Sequence, residues 1–95
     1  MKIQITGHHV EITEAIESSV NAHLGKLVRH FPEIESMSII ITVEKNVQTA
    51  EGIVHFKGQD LVAKASNIDL YQSIAELRDK LESLLEKRKA TIKAH

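Results

Sequence analysis

The sequence predicts an α+β fold of order β-α-β-β-β-α, a four-stranded mixed sheet with two parallel helices packed on one face. Three observations carry this. Apolar residues recur every second position near the start, every third or fourth from Ile12 to Phe31, every second again from Met37 to Ala65, and every third or fourth from Leu70 onward. The alternating stretches between Met37 and Ala65 are separated only by short polar segments, as antiparallel hairpins require. Each element shows one apolar face, so the simplest burial puts both helices on one side of the sheet and leaves the other wet.

The elements follow in order. Lys2, Ile3, Gln4, Ile5 and Thr6 alternate polar and apolar as a strand that ends at Gly7. A helix then starts at Glu14, with Thr13 as its N-cap and Glu14 and Glu17 suited to the positive helix start. Its stripe is Ile12, Ile16, Val20, Leu24, Leu27 and Phe31, and Pro32 stops it. Met37, Ile39, Ile41 and Val43 form the core set of a β-branched strand, alternating with Ser38, Ile40, Thr42 and Glu44. After a polar turn near Lys45 to Gln48, Ala50, Gly52, Val54 and Phe56 alternate with Glu51, Ile53, His55 and Lys57. Gly58, Gln59 and Asp60 make the tight connection to the strand Leu61 to Ala65. Asp69 is placed as an N-cap with Gln72 three residues on, a capping-box arrangement, and Leu70, Ile74, Leu77, Leu81, Leu84 and Leu85 trace the second helical stripe almost to the end. The first crossover makes strands one and two parallel, so both helices run the same way and their C-terminal ends share one edge.

Ninety-five residues make one domain, 1–95, with no repeat or linker. A hydrophobic content of 42% with 26% charged residues is that of a folded, water-exposed chain, with no span long enough for a membrane. The start, MKIQITGHHVEITE, lacks the apolar run of a signal peptide, and there are no cysteines, so a cytoplasmic protein is expected. The aromatics are only Phe31, Phe56 and Tyr71; Phe56 is expected inside, and Tyr71 packed beside the sheet.

The net charge of -1 conceals segregation. Carboxylates gather early, at Glu11, Glu14, Glu17, Glu33 and Glu35, while the C-terminal LEKRKATIKAH carries Lys87, Arg88, Lys89 and Lys93 around Glu86. The first helix closes with Lys26, Arg29 and His30, so parallel helices bring all seven basic side chains to one end. The second helix is the longer, and its last, basic turns are expected to project past the core. Arg88 falls on the stripe of Leu70, Leu77 and Leu81, aimed at something outside the fold. Two readings stand at this point: a polyanion-binding surface, or helix C-termini whose cations merely complement the macrodipole.

The motifs ITG at Ile5 to Gly7, ITEA at Ile12 to Ala15, DLYQSI at Asp69 to Ile74, and DKL running into LEKRK resemble the bacterial hibernation promoting factor family, which includes ribosome-associated inhibitor A. The similarity covers the whole chain, and its stop at His95 points to the short-form branch. Where relatives carry an IDxL pattern after the tyrosine, this chain has Ile74, Ala75, Glu76 and Leu77. The resemblance implies a domain that binds the small ribosomal subunit and its rRNA in the channel of messenger RNA and tRNA, and that blocks translation in stationary phase. It further implies inactive ribosome dimers formed with ribosome modulation factor as functional partner, or, as in ribosome-associated inhibitor A, inactive single ribosomes. No cofactor and no metal are expected, and the free chain is expected to be a monomer. The rRNA-binding residues implied are Lys26, Arg29, Lys80, Lys87, Arg88, Lys89 and Lys93.

Enzymatic readings are weaker. His8 and His9 beside Glu11 suggest a metal, but adjacent imidazoles in a strand point to opposite faces. His55 with Lys57 and Glu51 at alternate positions suggests an acid-base cluster, which surface salt bridges explain better. There is no phosphate-binding glycine loop and no cysteine nucleophile. A module that binds a folded partner through a strand edge or the second helix is the rival from another class.

Overall fold

The computed structural model describes the backbone of residues 2–93 and the side chains of residues 2–89. It contains β1 (Gln4–His8), α1 (Glu14–His30), β2 (Ile34–Glu44), β3 (Val47–Phe56), β4 (Gln59–Asn67) and α2 (Leu70–Lys93). The strands lie in the order β1-β2-β3-β4, with β1 parallel to β2 and the other two pairs antiparallel, as the crossover and the short turns require.

Period-2 alternation sorts the sheet into two faces. Ile39, Ile41, Ala50, Val54, Phe56 and Ala65 point to one side and form a single core with Val20, Leu24 and Leu27 of α1 and Ile74, Leu77, Leu81 and Leu85 of α2. Among the described residues the other side bears no helix; along it run rows such as Gln4, Ser38, Ile53, Val62 and Thr6, Ile40, Glu51, Lys64. Gly52 sets how close α2 comes: a Cβ there would stand 2.8 Å from the Cδ1 of Leu81, so the helix packs into the space of a missing side chain.

The caps explain the helix limits. Thr13 Oγ1 accepts from the Ile16 N–H at 3.2 Å, and the chain leaves α1 at Phe31, whose N–H donates to the Leu27 carbonyl. Asp69 caps α2 by accepting from the Tyr71 N–H at 2.9 Å. The reciprocal bond expected from Gln72 is replaced: the Asp69 N–H is taken by the Asn67 side chain at 3.0 Å, and Asn67 in turn donates to Glu76. Ser73, outside the apolar stripe, is fully buried because its hydroxyl donates to the Gln48 carbonyl at 2.7 Å and so ties α2 to β3.

Several boundaries shift from the sequence reading. The β3–β4 turn is Lys57–Gly58, both at positive φ, since Phe56 already pairs with Gln59; this is the two-residue turn whose twist suits a hairpin. β1 runs on to His8 because Gly7 lets the chain fold back over it, where a Cβ would collide with the Val10 carbonyl oxygen. Tyr71 is 46% exposed, so it is not packed away beside the sheet. Finally, α2 does not leave the body at its first basic turns. Leu85 is fully buried, as its place in the stripe predicts, and Lys89 one turn further on is still half-buried, with its ammonium over the Phe31 ring.

Candidate nucleic-acid interface

Helical periodicity decides where each cation points. On α1, Lys26 and His30 face α2, while Arg29 turns to the β1 edge, where it lines a hollow of about 430 Å³ with Lys2, Gly25 and Val28. On α2, Lys80 and Lys87 face β4, bordering with Lys64 and Ser83 a hollow of about 350 Å³. Lys80 is fixed there by donating to the Lys64 carbonyl at 2.8 Å.

The two helix ends do meet. The ammonium of Lys89 stands 5.7 Å from the ring centroid of Phe31, the C-cap of α1, and the His30 ring meets Phe31 edge-on at 5.0 Å. Arg88, expected to aim outward, instead lies half-buried, and its Nε is buried with no hydrogen-bond partner among the described residues. The side chain of Lys93 lies outside the described residues. The basic residues therefore share one layer but open in three directions: the groove between the helices, the β1 edge and the β4 edge.

The groove between the helices holds a residue that the sequence reading did not single out. Arg78 donates through Nη1 to His23 Nδ1 at 3.0 Å and through Nε and Nη2 to Asp79 Oδ1 at 3.1 and 2.9 Å. With Lys26, Leu27, His30, Asp79 and Glu82 it lines a hollow of about 320 Å³. Because arginine has no acceptor, the His23 ring must be neutral with its proton on Nε2. Burial, then the charges of Arg78 and Lys26, push the His23 pKa below its ordinary value, and Asp79 opposes them. The available signal was position: His23 adjoins Leu24 and Arg78 adjoins Leu77, flanking the two stripes where neighbouring helices meet.

On the bare face, His55 Nδ1 donates to Asp60 Oδ1 at 2.8 Å and its Nε2 lies 3.4 Å from Glu35. The hydrogen bond to Asp60 leads in raising its pKa, and the Glu35 and Asp60 charges add to it. Glu35 sits at a β-bulge between the pairs Ile34–Phe56 and Ser36–His55. The partners of His55 are thus Asp60 and Glu35 rather than Glu51, and they form surface ion pairs of the kind expected. Among the described residues no Phe, Tyr or Trp stands on this face, and no helix is long and apolar enough to cross a membrane.

A two-layer domain whose helix side carries the cations Lys26, Arg78, Lys80 and Lys87 along its hollows offers a binding surface. The chain belongs to the Sigma 54 modulation protein / S30EA ribosomal protein family, which matches residues 3–93. It is 39% identical to the ribosome hibernation promoting factor of Azotobacter vinelandii, over 94% of this chain and 83% of the relative. To the ribosome hibernation promoting factor of Escherichia coli it is 38% identical over the whole of both chains. Among solved structures it is similar to a ribosomal subunit interface protein from Coxiella burnetii, with a TM-score of 0.89 and 31% identity over 95% of this chain and 99% of that one. The family resemblance read from the ITG, ITEA and DLYQSI motifs holds.

Proposed function

We propose that this protein is a ribosome hibernation factor: it binds the small ribosomal subunit in the channel of messenger RNA and tRNA, stops translation, and promotes inactive ribosome dimers in stationary phase, with ribosome modulation factor as functional partner. Such a role places it in the cytoplasm. The observation that carries the reading is the full-length likeness to a protein named ribosome hibernation promoting factor, joined to a helix layer that presents Lys26, Arg29, Lys80, Lys87, Arg88 and Lys89. Lysine and arginine there neutralise phosphates and release counterions, and the rigid body supplies the steric block. With no Phe, Tyr or Trp on the bare sheet face among the described residues, recognition is electrostatic and shape-driven rather than by base stacking.

The test is binding to purified small subunits across salt concentrations. Affinity falls steeply with salt, and joint reversal of Lys87, Arg88 and Lys89 to Glu abolishes binding while the circular dichroism spectrum stays native. Binding that is insensitive to salt and to the triple reversal overturns the RNA reading in favour of a protein partner. Sedimentation of stationary-phase extracts with and without the protein then separates dimers from inactive single ribosomes.

A further inference from the structure

We propose that the groove between α1 and α2 seats one phosphate of the RNA backbone, with Arg78 as its fork and His23 as the residue that aims that fork and adds a second charge when protonated. This deepens the ribosome-binding reading and rests on it. Arg78 is held on two sides, by His23 Nδ1 at 3.0 Å and by Asp79 Oδ1, so part of the entropy cost of ordering a long side chain is met before any ligand arrives. Its side chain is 27% exposed and lines the same hollow as Lys26 and His30, and with three of its five N–H groups engaged by His23 and Asp79 it keeps two donors for a ligand. A planar, charge-assisted donor set beside a lysine suits a phosphodiester oxygen pair.

Protonation changes the groove in one direction. A proton on Nδ1 places a second cation beside Lys26 while giving up the acceptor that positions Arg78, and with a phosphate bound the added charge outweighs the lost positioning. The groups that face His23 are Arg78 and Asp79 from α2 and Lys26 from α1, with His30 and Glu82 lining the same hollow. Since burial, and then the charges of Arg78 and Lys26, hold His23 below its ordinary pKa, the gain comes on the acid side of that value, and a bound phosphate draws the proton on.

The experiment is equilibrium binding of the full-length chain to purified small subunits, at several salt concentrations and between about pH 5.5 and pH 8. Arg78→Ala weakens binding about tenfold and makes the salt slope shallower by about one. Arg78→Lys restores the slope but only part of the affinity, because the fork is lost. His23→Gln keeps an acceptor for Arg78, so it binds like the unaltered chain near pH 8 and loses part of the strengthening on acidification, whereas His30→Gln separates the other groove histidine. Arg78→Ala with unchanged affinity and slope, or His23→Gln with the full pH dependence, overturns the groove proposal while leaving ribosome binding intact. An unaltered chain that fails to bind small subunits overturns both.

Discussion

On the helix side of the sheet His23 lies half-buried beside Arg78 and Lys26, whereas on the bare side His55 stands between Glu35 and Asp60. The same side chain is pushed down in one place and up in the other. The difference teaches that charge here is sorted by face as well as by end. A chain of net charge -1 gathers cations along its helices and places a carboxylate pair around the histidine of the opposite surface.

The contrast is broken most forcefully at the core. Leu81→Ala empties space beneath α2 and is expected to cost about 2–5 kcal/mol in chemical denaturation. Val62→Ala, at a site 52% exposed on the bare face, should cost no more than about 0.5 kcal/mol. Equal costs would mean that the bare face is covered too.

Acidity sharpens the comparison next. His55 has a raised pKa, so its contribution to stability is fully present below the ordinary histidine value and is lost as pH rises through the folded value. His55→Gln should therefore lower the melting temperature near pH 5.5 and leave it unchanged near pH 8, about one unit below and about one and a half units above the ordinary histidine pKa. His23 has a lowered pKa, so its contribution is present above the ordinary value and lost as pH falls through the folded one. His23→Gln should thus lose less stability on acidification than the unaltered chain. Parallel melting curves for the two variants across pH would show that the faces do not differ electrostatically.

The smallest effect belongs to the contact that joins the helix ends. Lys89→Gln removes the ammonium above Phe31 and is expected to cost about 0.5 kcal/mol, measured by the same denaturation.

Element order, strand pairing and nearly all of the core were legible because periods of two and of three to four dominate this chain, and Thr13 and Asp69 mark where helices begin. Less legible was anything set by a neighbour distant in sequence. Ser73 reads as a polar residue on a helix, and only the Gln48 carbonyl makes it buried. Lys26 and Arg29 read as companions three residues apart, yet they open into different hollows because α2 lies along one side of α1 only. Nothing next to Arg78 in sequence marks it out, because its orientation depends on His23, 55 positions away.

Gly52 reaches beyond packing. Leu81 enters the recess above it, so the middle of β3 determines how far α2 is displaced along its own axis. Every cation on that helix, from Arg78 to Lys89, inherits its height from this one notch. A bulkier residue at position 52 would push against Leu81 and so move the whole row of charges, from a place well removed from any of them.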